Sequence, residues 1–414
     1  MSTERNWAGN ITYSAQRLHR PQSTAEIAGI VRGAKKLRAV GSRHSFNTIA
    51  DSDEDLVFMQ GLNKVLAIDP AARTVTVEGG ITYGELSPVL EAAGFALHNL
   101  ASLPHISVVG AVMTATHGSG NTNGNLATQI VGLKLVTGSG DTVNFVQGQP
   151  GFDGAVVSLG ALGIVTEVTL RIVPSFAVRQ NLYMDLPVQT LIDNFDAITS
   201  AAYSVSCFTP WRGDSIDHVW LKNLASAPIP GPEFFGAKAA THPYHPITVL
   251  DPTPCTEQMG VPGPWYLRLP HFRMEFQPSA GAELQTEYFV PRAHAPGAIT
   301  ALRTIQDRIA PHLMISEIRT MAADDFWLSG AYGRDTVGFH FTWQQDWPAV
   351  RAVLPAIEAA LAPFAVRPHW GKLFTMERDT ALATYPRLAD FRALAARLDP
   401  DGKFKNTFLV EHLL

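Results

Sequence analysis

A histidine stands inside a turn of small residues near the N-terminus, where RAVGSRHSFN covers residues 38–47. Glycine and serine are expected there, because backbone N–H groups in such turns converge on anions and hydroxyls add donors. A second segment of this kind, SVVGAVMTATHGSG at 107–120, carries His117. Both segments follow apolar stretches, so phosphate is their natural ligand. The alternative is two ordinary turns, with His44 hydrogen-bonded to its own turn.

Polar side chains of matching parity occupy two predicted strands farther along the chain. SEIRT places Glu317 and Arg319 two residues apart, and GFHFTWQ does the same with His340 and Thr342. Side chains two residues apart on a strand point to one face of the sheet. Four such groups could bind a sugar alcohol, whose row of hydroxyls both donates and accepts hydrogen bonds. A solvated sheet face with surface charge pairs is the alternative.

The elements that must position these residues fall into two regions. Residues 1–175 indicate many short strands with helices, including a helix at AEIAGIVRGAKK, a strand at LRAV and hairpins at NKVLAIDPAARTVTVEGG and LKLVTGSGDTVNF. A second α+β domain is predicted from strands at ELQTEYFVP, SEIRTMA and TVGFHFTWQQ and helices at PGAITALRTIQDRIA and AVRAVLPAIEAALAPF. Residues 204–280, rich in proline and aromatic side chains, suggest long surface connections.

Composition argues against several classes of protein. The net charge of −5, spread over 414 residues without long runs of either sign, gives no electrostatic footprint for nucleic acid or an anionic membrane. Cys207 and Cys255 make no disulfide framework. The N-terminal residues lack the regions of a signal peptide, and no run approaches about 20 apolar residues. We therefore expect a cytoplasmic protein that binds neither nucleic acid nor membrane.

Sequence motifs narrow the chemistry further. The G-x-G-x-x-G fingerprint and the P-loop pattern are absent from the strand-to-helix context that they require, so a nucleotide would not bind by the Rossmann route. A metal-dependent hydrolase is disfavoured, because the 14 histidines form no H-E-x-x-H or H-x-x-E-H pattern. No metal is expected. A non-catalytic sugar-binding protein stays open as a third class, with the aromatic-rich region 204–280 as its argument.

The small-residue segments and two C-terminal motifs together resemble the vanillyl-alcohol oxidase family of flavoproteins. GSRHSFN resembles the phosphate-binding loop of its covalent-histidine branch, and SLPHISVVGAVMTATHGSG its second flavin-binding stretch. HWGKLFT at 369–375 and DPDGKFKNTFL at 399–409 are similar to the C-terminal motifs of its sugar-alcohol and aldonolactone oxidase subgroup. The motifs follow the family's order over essentially the whole chain, which is more specific than any single one.

The resemblance implies a two-domain α+β fold of the vanillyl-alcohol oxidase (PCMH) type. Residues 1–175 would form the FAD-binding domain, completed by the tail at 375–414 with KFKNTFL as a strand and hook, and residues 176–374 the substrate-binding cap domain. The FAD would be attached covalently through a ring nitrogen of His44 to its 8α-methyl carbon, with His117 non-covalent. The cofactor-binding residues implied are Gly41, Ser42, Arg43, His44, Ser45, Phe46, Asn47, Ser102, Ser107, Gly110, Thr114, Ala115, Thr116, His117, Gly120, Gly163, Ile164 and His369.

The resemblance also implies a reaction. A hydride would pass from the terminal carbinol carbon of an alditol, such as xylitol or sorbitol, to flavin N5, and oxygen would be reduced to hydrogen peroxide. Lys372 and Arg319 would stabilise a developing alkoxide. His340 is the most conventional base, but which group takes the proton stays open. The substrate-binding residues implied are Ser102, Gln285, Glu317, Arg319, His340, Thr342 and Lys372.

An aldonolactone oxidase, or a polyol dehydrogenase of the same fold with another electron acceptor, is the alternative within the enzymes. The partners expected are a small polyol and molecular oxygen, and the protein is expected to be a monomer.

Overall fold

The structure is a computed structural model that describes residues 4–276 and 282–414. Its strands fall into two groups along the chain. The first group is β1 (Arg17–His19), β2 (Leu37–Val40), β3 (Asp55–Phe58), β4 (Val65–Asp69), β5 (Thr74–Glu78), β6 (Phe95–Ala96), β7 (Ile130–Val136), β8 (Thr142–Val146), β9 (Ile164–Arg171) and β10 (Val173–Pro174). The second group is β11 (Ala177–Pro187), β12 (Ser204–Thr209), β13 (Ser215–Leu224), β14 (Glu233–Phe234), β15 (Ala237–Ala239), β16 (Gly263–Pro264), β17 (Glu283–Pro291), β18 (Leu313–Met321), β19 (Thr336–Gln344) and β20 (Arg367–Pro368).

The α-helices are short and lie between and after these strands. They are α1 (Thr24–Gly33), α2 (Tyr83–Ala92), α3 (Val108–Met113), α4 (Phe152–Val156), α5 (Val188–Asp193), α6 (Phe195–Thr199), α7 (Ala295–Arg303), α8 (Gln306–Ile309), α9 (Trp347–Leu361), α10 (Arg378–Leu382), α11 (Leu388–Leu398) and α12 (Thr407–His412). None of the helices in the described part of the chain is long and apolar enough to cross a membrane.

The first group of strands forms two main sheets. Three strands make a parallel sheet in the order β1–β3–β2, and five make an antiparallel sheet in the order β4–β5–β9–β7–β8. Helix α1 begins where Ser23 accepts from the backbone N–H of Glu26, and α2 begins with a capping box between Thr82 and Glu85. The predicted helix at AEIAGIVRGAKK, the strand at LRAV and both hairpins are confirmed.

The second group forms one large antiparallel sheet. Its order is β14–β15–β11–β13–β12–β18–β19–β17–β20, with β16 beside β11. Helices α7 and α9 pack with this sheet in a second apolar core. The predicted order of strand, helix, strand, strand and helix is confirmed for β17 to α9. The helix predicted at PGAITALRTIQDRIA is divided, because α7 ends at Arg303 and α8 begins at Gln306.

The prediction of surface connections for residues 204–280 was wrong at its beginning. Strands β12 and β13 lie in the middle of the large sheet, and nearly all of their residues are buried. A strand that is buried on both faces lacks the alternation of apolar and polar residues that marks a half-buried strand. Most of the described chain from 225 to 276 is irregular, as predicted.

The C-terminal tail contacts the first part of the chain. The backbone N–H of Leu37 donates to the Lys403 oxygen at 2.9 Å, and Arg38 donates to the Phe404 oxygen at 2.9 Å. The tail ends in helix α12, which corrects the expected strand and hook. That helix begins at Asn406, whose side chain accepts from the backbone N–H of Leu409 and thereby caps the first turn.

Candidate active site

A large cavity is lined by residues from both parts of the chain. It encloses about 1870 Å³ of empty space, including its opening to solvent. Its walls come from the turns within 38–50 and 101–117 and from strands β17, β18 and β19. The predicted residues that line it are Gly41, Ser42, Arg43, His44, Ser45, Phe46, Ser102, Ser107, Gly110, Thr114, Thr116, His117, Gly163, Gln285, Glu317, Arg319, His340, Thr342, His369 and Lys372.

Four predicted cofactor residues are not among those that line the cavity: Asn47, Ala115, Gly120 and Ile164. Asn47 instead joins two distant segments, because its side-chain amide donates to the backbone oxygens of Trp370 at 2.8 Å and Lys372 at 2.7 Å. These two bonds fix the backbone that carries the Lys372 side chain. Ile164 packs in an apolar cluster beneath the first sheets.

Three neighbouring strands form a polar wall of the cavity. Strand β19 lies between β18 and β17, so the register puts Glu317 and Glu287 on either side of His340. In the next row Gln285 stands beside Thr342. Because side chains alternate along a strand, all five point to the same face. The four residues predicted from parity therefore share one buried face, and β17 adds two more.

Glu287, which sequence reasoning missed, is the centre of the charge network. It is 2% exposed. Its Oε1 lies 2.8 Å from His117 Nε2 and 3.6 Å from Arg319 Nη2, and its Oε2 lies 3.5 Å from Lys372 Nζ. Burial would raise the pKa of this carboxyl, but His117 and Lys372 outweigh burial and hold the pKa well below its ordinary value. Glu287 is therefore an ionised carboxylate.

His340 has one ring nitrogen free to accept a proton. Its Nε2 lies 3.1 Å from Gln285 Oε1, the oxygen that also accepts from Lys372 Nζ at 2.6 Å. Because an amide oxygen only accepts, His340 Nε2 must carry the hydrogen. Burial, assisted by the charge of Lys372, holds the pKa of His340 well below its ordinary value, so the ring is neutral. Its Nδ1 thus keeps a lone pair, which has no hydrogen-bond partner within the described ranges.

Arg319 connects this wall to the first part of the chain. Its Nη1 donates to Ser102 Oγ at 3.1 Å, and its Nε lies 3.4 Å from Glu317 Oε2. The other carboxylate oxygen of Glu317 lies 2.8 Å from His271 Nε2. Ser102, Glu317 and Arg319 are therefore one connected polar group.

The two histidines of the small-residue segments differ in their contacts. His117 is fully engaged, with Nδ1 at 2.7 Å from the Gly118 oxygen and Nε2 at Glu287. His44 stacks on Trp7, with ring centroids 5.3 Å apart. Neither of its ring nitrogens makes a hydrogen bond of good geometry within the described part of the chain, although the Ser42 backbone lies nearby. Burial lowers the pKa of His44 to about 4, so its ring is neutral.

The turn that carries His44 is locked against the second small-residue segment. Ser42 Oγ accepts from the backbone N–H of Ser107 at 2.8 Å. A Cβ on Gly41 would lie 2.2 Å from Ser107 Oγ, so only glycine permits this approach. Arg43 has φ of 64°. Within residues 4–276 and 282–414, the backbone N–H groups of residues 43–45 donate to no protein acceptor, so they remain available to an anion.

Comparison with known proteins identifies the chain's relatives. Residues 15–146 match the family described as FAD binding domain, and residues 282–412 match the D-arabinono-1,4-lactone oxidase family. Alditol oxidase from a Streptomyces species is 51% identical over 98% of this chain and 97% of its own length. The chain belongs to the alditol oxidase family. A more distant relative is L-gulono-1,4-lactone dehydrogenase from Mycobacterium tuberculosis, which is 30% identical over 97% of each chain.

Solved structures share the fold of this alditol oxidase family member. A solvent-stable cholesterol oxidase superposes with a TM-score of 0.79 at 17% identity, over 99% of this chain and 97% of that one. A carbohydrate oxidase from Microdochium nivale, in complex with a substrate analogue, gives 0.73 at 15% identity, over 96% and 92%. At such identities the likeness establishes the fold alone. The expected vanillyl-alcohol oxidase type of FAD fold is confirmed.

The cavity fits FAD, the cofactor named by the family that residues 15–146 match. The turn at residues 43–45 offers three backbone N–H donors without a protein acceptor, which suits a phosphate group. His44 presents two unpartnered buried nitrogens to the same cavity. The close packing of Gly41 on Ser107 brings both small-residue segments to one wall. The residues that would hold the FAD are therefore those of the two segments.

Three residues in or beside the polar wall escaped sequence reasoning: Lys222, His271 and Glu287. Glu287 shares the parity of Gln285 on β17, which is the signal that could have found it. His271 lies in an irregular segment and Lys222 in a strand buried on both faces, so neither has a local pattern that marks it.

Proposed function

We propose that this protein is an FAD-dependent oxidase that converts the terminal CH–OH group of alditols, such as xylitol and sorbitol, to the aldose and reduces oxygen to hydrogen peroxide. One observation carries the proposal: an ionised carboxylate, a neutral histidine with a free nitrogen and a lysine share a buried wall of the cavity that also carries the FAD cradle. The full-length likeness to an alditol oxidase supports the choice of substrate.

The chain's own residues bind the alditol and move its proton. FAD held by the two small-residue segments would supply the hydride acceptor and the route of the electrons to oxygen. Glu317 and Thr342 accept hydrogen bonds from the inner hydroxyls. The free Nδ1 of His340 takes the proton of the reacting hydroxyl. Lys372 and Arg319 are cations on the same wall, and they stabilise the oxygen as it becomes negative.

Covalent attachment at His44 is part of the proposal. A ring nitrogen must be neutral and unengaged to form a bond to the flavin, and His44 meets both conditions. Both nitrogens of His117 are engaged in hydrogen bonds instead. We therefore favour His44 over His117 as the attachment point.

Changing His44→Ala should leave an FAD that acid or denaturant releases into the supernatant. His117→Ala is the matched control, and its precipitate should stay yellow. The measurement is the absorbance of the pellet and of the supernatant after acid precipitation. A yellow pellet from His44→Ala would assign the link to another residue, with His117 the first candidate.

We also propose that FAD and substrate are bound by different parts of the chain. Residues 1–175 with the tail at 375–414 would hold the FAD, and residues 176–374 would carry the substrate wall. The contacts of Phe404 and Lys403 with β2 and its neighbours support the place of the tail in the FAD-binding part. Action as a cytoplasmic monomer stays a prediction, which cell fractionation and gel filtration would check.

Anaerobic titration tests the function directly. Xylitol and sorbitol should bleach the flavin absorbance of the purified protein, and readmitted oxygen should restore it with formation of hydrogen peroxide. Bleaching by an aldonolactone but not by xylitol would favour the lactone oxidase alternative. Bleaching by xylitol with reoxidation only by an added dye would favour a polyol dehydrogenase.

The Glu317→Gln change should mainly raise KM for xylitol. A hydrogen bond to a charged group contributes roughly 1.5–3 kcal/mol, which corresponds to about 10- to 150-fold in KM. Flavin reduction at saturating xylitol should fall by a much smaller factor. Steady-state kinetics beside stopped-flow reduction would separate the two effects. Glu167→Gln, at a partly exposed ion pair with Lys134 that does not line the cavity, is the control and should keep the KM of the parent.

A further inference from the structure

A buried lysine lies behind the substrate wall and is not part of the chemistry proposed above. Lys222 is on β13, is 1% exposed, and does not line the cavity. Its Nζ donates to the backbone oxygens of Leu269 and Pro270 and lies 3.0 Å from His271 Nδ1. Burial lowers the pKa of Lys222 to about 7. Its three neighbours are nevertheless all acceptors, because carbonyl oxygens only accept and a neutral His271 ring that donates from Nε2 to Glu317 leaves Nδ1 as a lone pair. Three acceptors match the three hydrogens of an ammonium group, so His271 Nδ1 accepts from Lys222.

The proton of His271 is thereby directed toward the substrate wall. With Nδ1 accepting from Lys222, a neutral ring carries its hydrogen on Nε2, which donates to Glu317 Oε1 at 2.8 Å. Burial lowers the pKa of His271 to about 4, so the ring is neutral. Trp220 and Phe208 hold the ring from its edges, with centroids 5.1 and 5.5 Å away. The ring therefore has one tautomer and one orientation.

Glu317 is the carboxylate that accepts the hydrogen bond from His271. Burial opposes its ionisation, but Arg319 and His271 outweigh burial and hold the pKa of Glu317 well below its ordinary value. One carboxylate oxygen is fixed by His271, and Arg319 lies beside the other. The backbone N–H of His271 also donates to the Ser102 oxygen at 3.0 Å, so the same segment fixes a second residue of the substrate wall.

We propose that Lys222 and His271 are positioning residues, which hold Glu317 as an oriented carboxylate and so determine how tightly the inner hydroxyls of an alditol are bound. This inference rests on the proposed function. Without the Lys222 ammonium, His271 can move its hydrogen to Nδ1 and donate to a nearby carbonyl oxygen. A ring nitrogen lone pair would then face the carboxylate of Glu317, and the hydroxyl acceptor would lose its position.

The test is a mutant cycle with KM and kcat measured separately. Lys222→Met, which keeps the volume, should raise KM for xylitol about tenfold and lower kcat by a smaller factor. Added to Glu317→Gln, it should raise KM no further, because the residue it positions is already altered. Lys134→Met, the same change at a partly exposed ion pair away from the cavity, is the control and should leave KM at the parent value.

A second pair of variants tests the hydrogen bond itself. His271→Gln can still donate to Glu317 from its amide nitrogen and accept from Lys222, so its KM should stay within about threefold of the parent. His271→Leu should raise KM as much as Lys222→Met. The melting temperature and FAD content of each variant show whether a loss of activity comes from unfolding. If Lys222→Met does not fold, the comparison of His271→Gln with His271→Leu still tests the hydrogen bond to Glu317.

The outcomes separate the inference from the function on which it rests. A parent protein whose flavin no alditol reduces contradicts the proposed function and, with it, this inference. A parent that xylitol reduces, combined with an unchanged KM in Lys222→Met or with full additivity to Glu317→Gln, contradicts the inference alone. Two results together support the inference. Lys222→Met should raise KM in the parent but not in the Glu317→Gln background, and His271→Gln should keep KM near the parent value.

Discussion

Replacing Glu287 with leucine should lower the free energy of unfolding by about 3–5 kcal/mol, because it removes one partner of a buried charge network and leaves the others uncompensated. Its carboxylate serves His117, Arg319 and Lys372 at once. Glu287→Gln keeps the shape and one acceptor, so it should cost less than the leucine variant. Urea unfolding followed by flavin and tryptophan fluorescence measures the difference.

An exposed ion pair provides the comparison. Arg273 and Glu257 are 3.5 Å apart and both well exposed, so Glu257→Leu should change stability by at most about 1 kcal/mol. Equal losses in Glu257→Leu and Glu287→Leu would mean that burial of the Glu287 network contributes nothing particular to stability. The network would then have to be interpreted as catalytic only.

Replacing Lys372 with methionine should slow flavin reduction by xylitol about 10²–10³-fold, the usual effect of losing one donor to a developing oxyanion. KM should change little, because the interaction strengthens mainly as the hydride leaves. Anaerobic stopped-flow reduction at saturating xylitol measures this step alone. A Lys372→Met protein reduced as fast as the parent would exclude Lys372 from the chemical step.

A double variant shows whether the loss comes from chemistry or from the network. Lys372→Met leaves Glu287 with one cation fewer, which could disturb the wall without any part in the reaction. If that were the cause, adding Glu287→Gln to Lys372→Met should restore much of the rate. We expect the rate to stay low, because the neutral glutamine does not replace the missing donor.

Parity along single strands was enough to predict four of the six strand residues of the polar wall. Glu317 and Arg319, and His340 and Thr342, share a face because successive side chains on any strand alternate. That rule needs no knowledge of the partner strands. The predicted helices and hairpins of the first region were local in the same way, because their caps, turns and periodic residues lie within a few positions of one another.

Local patterns did not predict the strands that are buried on both faces, β12 and β13. Residues 204–224 contain Pro210, several aromatic residues and His218, and this composition, shared with the rest of 204–280, suggested long connections. Their burial comes from two separate apolar clusters that cover opposite faces of the large sheet, one containing Val205 and Val219 and the other Phe208 and Trp220. The tail was misjudged for a related reason, since a helix of six residues depends on one cap at Asn406 and on the surface beneath it.

The sequence by itself identified the flavoprotein family. It also singled out the two small-residue segments with His44, and the polar face of β18 and β19, because each is a pattern of residues close together in the chain. Only the tertiary structure decided that β17 lies beside β19, which puts Glu287 next to His340, and that Lys222 and His271 stand behind Glu317. Strand order and contacts across tens of residues depend on how distant apolar surfaces pack, and no local periodicity encodes that packing.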